Sequence, residues 1–184
     1  GSVGHAMRIL FCKPTVFERF DRESFGRRLS HHLRRWGIVY LLLIVAAALF
    51  QAHYAVGLNV SPSLPQRFFL IHKGELPLRG QYVAFRWPGG GPYPAGVTFV
   101  KIIAGMAGDA VTRADREFFV NGMPVGQAKT TSRMGLPLEP GPTGILPAGR
   151  YYVRAPHPDS LDSRYRLTGW ISDAQIIGRA YALF

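Results

Sequence analysis

The sequence is poor in the side chains that cross-link a chain or bind metals. Its 184 residues include a single cysteine, Cys12, so no disulfide can form within the chain. The 6 histidines form no spaced cluster with cysteine or carboxylate side chains, which leaves a metal site unsupported. We therefore expect a domain held together by its core alone, with no metal and no cofactor.

Acidic residues are also scarce, with 11 Asp and Glu against 22 Lys and Arg and a formal net charge of +11. Much of this surplus lies at one end of the chain, since residues 1–36 hold eight basic and three acidic side chains. Basic residues beside a membrane span mark its cytoplasmic end. A lipid bilayer as partner therefore explains the charge, and we expect no binding of nucleic acid.

The N-terminal part consists, in our interpretation, of a tag remnant and a basic leader. Residues 1–6, ahead of Met7, are interpreted as the remnant of an expression tag. Apolar side chains then recur at helical spacing from Phe17 to Trp36. Within the leader, residues 7–36, this spacing predicts a basic amphipathic helix from Phe17 to Trp36 on the cytoplasmic membrane surface. A solvated, partly disordered leader is the alternative.

The longest apolar run of the sequence follows directly. Residues 37–50 are uninterrupted, and with Gln51 and His53 tolerated the run reaches Leu58, which gives the roughly 20 residues that a membrane span requires. Residues 37–58 are predicted as a transmembrane helix with its N-terminus in the cytoplasm. A cleavable signal peptide is disfavoured because no small-x-small site follows the run, and a short buried helix is the remaining alternative.

After residue 58 the helical periodicity disappears, and short strand-like runs alternate with Gly and Pro. Residues 59–184 are therefore predicted to form one β-rich domain. The predicted strands cover residues 68–72, 81–87, 97–103, 117–120, 123–125, 151–154 and 175–183.

Turn and loop residues mark the connections between these strands. Asn121-Gly122 indicates a tight hairpin, because both residues accept the positive φ angles of a type I′ turn. The Gly- and Pro-rich stretches 88–96 and 126–149 are predicted as surface loops, with a mobile lid or a substrate-docking loop as alternatives.

Ser63 is a candidate nucleophile in the segment NVSPSLP, residues 59–65. It stands between two prolines immediately after the apolar run, so its backbone is restricted and its position is close to the predicted membrane. The alternative interpretation is an ordinary extended linker between the span and the domain, because Ser and Pro punctuate loops generally.

Lys101 is the matching candidate base. Strand alternation places it on the same face as Val97, Phe99 and Ile103. An ammonium group in apolar surroundings loses hydration, so its pKa falls and the neutral amine becomes able to accept a proton. In the alternative, Lys101 snorkels past its neighbours to water.

The two candidates are chemically complementary. A serine hydroxyl becomes an effective nucleophile when a nearby base takes its proton, and a desolvated lysine can do this without histidine or aspartate. We therefore expect the Ser63 hydroxyl to lie within hydrogen-bonding reach of the Lys101 amine, or loosely so without ligand. The backbone N–H of Ser63 and the hydroxyl of Ser61 are the candidate oxyanion donors.

Three segments, taken together and in this order, resemble the S26 signal peptidases, and in particular the TraF-type peptidases of bacterial conjugation systems. Residues 59–65 are similar to the nucleophile motif of that family. Residues 100–109 (VKIIAGMAGD) are similar to its general-base motif. Residues 160–165 (SLDSRY), followed by residues 177–180 (IGRA), are similar to its C-terminal signature.

The resemblance implies a mainly β fold, namely a signal-peptidase-like (LexA-like) β domain preceded by the transmembrane helix and the amphipathic leader. It also implies a serine endopeptidase in which Ser63 attacks the scissile carbonyl and Lys101 is the general base. Ser61 matches the family's side-chain oxyanion donor, which acts beside the N–H of Ser63.

The resemblance extends to three supporting residues. Ser160 matches the hydroxyl that orients the lysine amine, and Asp162 and Arg164 match an ion pair that supports the site geometry. The alternative for Asp162 and Arg164 is an ordinary surface pair. The sequence departs from the TraF-type pattern at Arg67, where relatives usually carry glycine, which puts the substrate-binding edge in doubt.

The function that the resemblance implies is removal of the leader peptide from an exported precursor, with a conjugative pilin as the preferred substrate and cyclisation of the pilin as a variant outcome. The expected location is the bacterial inner membrane, with a single span and a periplasmic catalytic domain. A housekeeping signal peptidase I is the alternative enzyme. A catalytically inactive, membrane-tethered scaffold of a secretion or pilus complex is the alternative from another class.

Overall fold

The computed structural model describes residues 22–59, 61 and 63–183, and the chain divides into two compact units at Ala46. The first unit contains most of helix α1, Arg22–His53. Within it, Phe25–His53 is long and apolar enough to cross a membrane. At 1.5 Å per residue its 29 residues span about 43 Å, more than the roughly 30 Å of a bilayer core. The helix therefore fits a membrane anchor.

The bounds of this helix differ from the predicted ones. The predicted leader helix and the predicted span form one continuous helix from Arg22, and residues 7–21 lie outside the described residues. The C-terminal bound of the predicted span, Leu58, is wrong, because the helix ends at His53. The next five residues form strand β1, Tyr54–Leu58, instead.

The helix ends early because a strand partner is available. Residues of β1 pair antiparallel with β2, Phe68–Lys73, from Tyr54 opposite His72 to Leu58 opposite Phe68. The pairing gives the backbone of β1 hydrogen-bond partners along its length, and aromatic and β-branched side chains favour a pleated strand. Apolarity alone did not distinguish this strand from the end of the helix.

The second unit is mainly β, which confirms the predicted fold class. Every pairing between its strands is antiparallel, in a seven-stranded sheet of order β1-β2-β11-β3-β4-β9-β10 and a four-stranded sheet of order β7-β6-β5-β8. The remaining strands are β3 Tyr82–Arg86, β4 Thr98–Gly105, β5 Ala110–Ala114, β6 Glu117–Val120, β7 Met123–Gln127, β8 Gly144–Ile145, β9 Arg150–Arg154, β10 Ile171–Ser172 and β11 Ile176–Ala182.

The predicted hairpin turn is confirmed. Asn121 and Gly122 connect β6 to β7 with φ angles of 50° and 78°, and Val120 pairs with Met123 across the turn. Strands β5, β8 and β10 were not predicted. Two of them are only two residues long, and β5 has the weakly apolar sequence AVTRA, so their patterns carry little signal.

The two predicted loops have different outcomes. Residues 88–96 contain no strand, as predicted. Residues 126–149 are only partly irregular, because they include the end of β7, the whole of β8 and a bridge between Thr131 and Pro137. Ala128 and Leu146 of this stretch are buried in a core cluster, so a purely surface loop is wrong here. Burial of apolar side chains outweighs the Gly and Pro content.

Strand β4 is an interior strand of the long sheet, between β3 and β9, and contributes side chains to three core clusters. Phe99 and Ile103 pack in one cluster, while Val100 and Ile102 pack in another. This alternation follows from the two-residue period of a strand, and it places Lys101 on the face of Phe99 and Ile103. The core thus fixes the backbone on both sides of the lysine.

Candidate active site

Lys101 lies inside the protein, on a central strand. Its exposed fraction is only 4%, so the side chain does not snorkel to solvent. The pKa of Lys101 is lowered to about 8, chiefly because burial disfavours the charged amine; the Asp162 carboxylate raises this pKa and the Arg164 charge lowers it. A large fraction of the amine is therefore neutral near pH 8 and can accept a proton.

Ser160 is the hydrogen-bond partner of this amine. Lys101 Nζ donates a hydrogen bond to Ser160 Oγ at 2.7 Å, and Ser160 is itself buried. The backbone N–H of Ser160 is held by the carbonyl of His157 at 3.1 Å, which closes a short turn. Because the neutral amine keeps one lone pair, a hydrogen bond donated to Ser160 leaves that lone pair for another proton.

Asp162 and Arg164 form a buried ion pair, not a surface pair. Arg164 Nε lies 2.8 Å from one carboxylate oxygen of Asp162, and Arg164 Nη2 lies 2.9 Å from the other oxygen. The side-chain exposed fractions are 3% for Arg164 and 0% for Asp162. Such two-point pairing fixes orientation as well as charge.

The ion pair holds the loop that carries Ser160. Arg164 donates to the carbonyl groups of Gln127, His157 and Ser160 at 3.0, 3.3 and 3.3 Å. Asp162 accepts the N–H of Ala155 at 3.0 Å, just beyond strand β9. The pair therefore joins the Ser160 loop to β9 and to the end of β7. The pair affects Lys101 in two ways: it holds the loop of Ser160, and the charges of Asp162 and Arg164 shift the pKa of the amine.

The serine segment is organised by Asn59. Its Oδ1 accepts hydrogen bonds from the Ser61 N–H at 3.2 Å and from Ser61 Oγ at 3.0 Å. Its Nδ2 donates to the carbonyl groups of Leu64 and Gln66 at 3.2 and 3.1 Å. One side-chain amide thus closes the turn around Ser63 from both directions.

The donor of the hydrogen bond between Ser61 and Ser63 follows from the other contacts of Ser61. Ser61 Oγ lies 2.8 Å from Ser63 Oγ, and it already donates its single proton to Asn59. A hydroxyl group has one proton, so Ser63 is the donor in this contact and Ser61 is the acceptor. In this state the Ser63 hydroxyl points to Ser61.

One cavity of about 450 Å³ contains both halves of the site, with Ser61, Ser63, Lys101 and Ser160 in its lining. Among the hydrogen bonds of the described residues, none joins Ser63 to Lys101. The expected hydrogen bond between Ser63 and Lys101 is therefore absent among the described residues, and the two side chains share only the lining of this cavity. Asp162 and Arg164 do not line the cavity, and they lie behind Ser160.

Sequence reasoning missed three residues at the cavity. Asn59 was read only as part of a motif, although Asn two residues before Ser is the pattern of a side-chain-closed turn. Arg133 and Asp159 also line the cavity, and they form an ion pair with Arg133 Nε 2.7 Å from the carboxylate. No periodicity connects two loop residues 26 positions apart.

Within the described residues, no group of three or more His, Cys, Asp or Glu could hold a metal ion.

Comparisons with known proteins identify the family of this chain. The sequence model of the family described as "Signal peptidase, peptidase S26" matches residues 29–184. The chain is also similar to the crystal structure of a signal peptidase I from Enterococcus faecalis V583, with 21% sequence identity and a TM-score of 0.38, covering 60% of this chain and 98% of that chain. A search of curated proteins returns no match.

Proposed function

Since this chain belongs to the signal peptidase family, peptidase S26, we propose that it cleaves exported precursors with Ser63 as nucleophile and Lys101 as general base. Membership of the family implies serine peptidase activity of the signal-peptidase type. The observation that carries the assignment of the base is the buried Lys101 amine, with a pKa of about 8, hydrogen-bonded to Ser160 at 2.7 Å in the cavity that also contains Ser63.

The first step requires one reorientation. The Ser63 hydroxyl turns from Ser61 towards Lys101 when a substrate enters, and the lone pair of Lys101 takes its proton. Ser63 Oγ then attacks the scissile carbonyl, and a Ser63–carbon bond forms as the carbonyl oxygen becomes negative. Ser160 keeps the amine oriented during this step through the hydrogen bond it already accepts.

The developing oxyanion has two candidate donors. The backbone N–H of Ser63 is one, and the Ser61 hydroxyl is the other once it turns from Asn59 to the oxyanion. Collapse of the intermediate breaks the carbon–nitrogen bond, and the Lys101 ammonium returns its proton to the leaving amine. Water then attacks the acyl-enzyme with Lys101 again as base, which releases a carboxylate and restores the Ser63 hydroxyl.

We propose a more specific substrate from the sequence motifs. Residues 59–65 and 100–109 resemble those of TraF-type peptidases, which supports a conjugative pilin precursor as the substrate. In that case an amine of the pilin can replace water in the second step and give a cyclic product. The basic residues before the apolar helix support a bacterial inner-membrane anchor with the N-terminus in the cytoplasm and the β domain in the periplasm.

The test of this function is precursor cleavage by the full chain in detergent. Ser63→Ala and Lys101→Ala should each reduce the cleavage rate by at least about 1,000-fold, because each removes a partner that the other needs. Lys101→Arg should also be inactive, since guanidinium does not lose its proton at usable pH. Equal cleavage by wild type and both alanine variants would contradict the assignment, and robust cleavage by Lys101→Arg would remove Lys101 as the base.

The wild-type pH dependence provides an independent readout. If the neutral Lys101 amine is the base, the cleavage rate should rise with pH and level off above about pH 8. A rate that is flat between about pH 6 and pH 9 would contradict this role.

A further inference from the structure

A second cavity of about 640 Å³ lies beside the candidate active site, between the two stretches that were predicted as loops. Residues 91–93 line one side and residues 129–139 line another. Several lining side chains are large, apolar and well exposed. Their exposed fractions are 74% for Met134, 46% for Leu136 and 40% for Tyr93. Exposed apolar side chains concentrated in a concave surface are typical of a binding site.

The second cavity adjoins the active-site cavity. Four residues line both cavities, namely Tyr93, Arg133, Asp159 and Leu161. Two of them, Asp159 and Leu161, are the sequence neighbours of Ser160, which holds the Lys101 amine. A polypeptide that passes Lys101 and Ser160 therefore reaches the second cavity directly.

The charged side chains around this cavity are already paired with each other. Lys129 and Arg133 both bind the Asp159 carboxylate, and they hold the pKa of Asp159 down at about 2. Two other lining residues are paired as well, since Arg166 binds Glu139 at 2.8 Å. Because these charges have partners, the cavity selects for apolar contact and not for a charged ligand.

The proposed chemistry determines which part of the substrate passes this way. Lys101 must return its proton to the leaving amine, so the nitrogen of the scissile bond lies beside the Lys101 amine. The proposed oxyanion donors belong to the serine segment, at Ser61 and Ser63, and they bind the carbonyl oxygen of the scissile bond and not its nitrogen. The residues that follow the scissile bond therefore leave the site past Lys101 and Ser160, towards Asp159 and Leu161.

We propose that the second cavity binds apolar side chains of the precursor on the C-terminal side of the scissile bond. This inference rests on the proposed function, because the direction of the substrate follows from the proton transfer by Lys101. Met134 and Leu136 provide the apolar contact, and the Arg133–Asp159 ion pair forms the boundary between the two cavities. The cavity thus determines specificity for the first residues of the mature product.

The test compares two internally quenched peptides with alanines before the scissile bond and either leucine or asparagine at the second to fourth positions after it. The full-chain wild type in detergent should cleave the leucine peptide with a kcat/KM about tenfold higher. The double variant Met134→Ser/Leu136→Ser should lose most of this preference through slower cleavage of the leucine peptide alone. The matched control is Met123→Ser/Leu78→Ser, at apolar positions of similar exposure, 69% and 61%, outside both cavities.

The outcomes separate this inference from the proposed function. No preference in the wild type, or an equal loss on both peptides in the double variant, would overturn the inference while Ser63-dependent cleavage stands. Cleavage that persists in Ser63→Ala would overturn the proposed function and the inference with it. As a readout without turnover, the leucine product peptide should bind Ser63→Ala more tightly than the asparagine product peptide in fluorescence anisotropy, and equal binding would overturn the inference.

Discussion

The two halves of the candidate site are built by different kinds of contact. In the serine half, the hydrogen bonds of Asn59 all end within the next eight residues, at Ser61, Leu64, Gln66 and Arg67. In the lysine half, Lys101 and Ser160 are 59 positions apart, and Arg164 reaches back 37 positions to Gln127. Around the buried Ser63, the serine half is held by local, partly exposed hydrogen bonds, whereas the lysine half is held by long-range contacts in the interior.

This difference indicates which half adjusts during catalysis. Hydrogen bonds within a short, partly exposed turn can be exchanged at low cost, while buried long-range contacts open only with a larger part of the fold. We therefore expect the substrate to reorient the Ser63 hydroxyl and to leave the Lys101 amine where Ser160 holds it. Variants that separate the two halves make this comparison measurable.

The largest expected effect is loss of stability in the lysine half. Asp162→Ala leaves the buried Arg164 charge without its partner, which typically costs about 3–5 kcal/mol in the free energy of unfolding. The β domain should therefore unfold at a much lower denaturant concentration. The measurement is denaturant unfolding of wild type and variant in the same detergent, followed by tryptophan fluorescence.

An exposed ion pair of the same kind provides the control for this experiment. Glu139 and Arg166 also form an ion pair at 2.8 Å, but their side chains are 68% and 77% exposed. Exposed pairs contribute little, so Glu139→Ala should change the free energy of unfolding by less than about 1 kcal/mol. Similar losses for Asp162→Ala and Glu139→Ala would show that burial does not distinguish the lysine half.

The sequence predicted the two halves by different routes. Strand alternation placed Lys101 on the face of Phe99 and Ile103, but it left open whether the amine reaches water, and only the packed core decides that it is buried. Ser160 and Asp162 lie in a loop without periodicity, and only family resemblance pointed to them. Their position depends on chain segments far apart in the sequence, which single-sequence patterns do not connect.

Two features of the fold were missed for related reasons. Strand β1 was included in the apolar helix, because its strand character depends on pairing with β2 and not on its own composition. The contact between Arg133 and Asp159 joins two loops, and nothing in the local sequence brings them together. In both cases the deciding contact is tertiary.

The next largest expected effect is a gain in stability when the buried charge of Lys101 is removed. In the folded protein the pKa of Lys101 is about 8, against an ordinary value of 10.5, so the folded state releases its proton first as pH rises. Below about pH 8 both states are charged and the burial cost is complete, at roughly 3 kcal/mol by linkage. Lys101→Met should therefore be inactive but more stable, with a gain that is largest below pH 8 and shrinks towards pH 10.5.

Thermal melting at several pH values measures this gain. Lys73→Met is the control, because Lys73 lies at an exposed position of β2 and its loss removes a lysine without relieving burial. A melting temperature of Lys101→Met that stays below wild type at pH 6 would contradict a burial cost at this position.

The smallest expected effect on stability belongs to the serine half. Asn59→Ala removes the hydrogen bonds that close the turn around Ser63, and the loss of such partly exposed bonds costs about 1–2 kcal/mol. Because the turn positions Ser63, the proposed nucleophile, kcat should fall by at least about tenfold, more than this modest loss of stability explains. Asn59→Asp keeps the acceptor for Ser61 but loses both donors, so its kcat should lie between those of wild type and Asn59→Ala. If both variants keep the wild-type kcat, Asn59 does not position Ser63, and the local half of the site is set by the prolines that flank the serine.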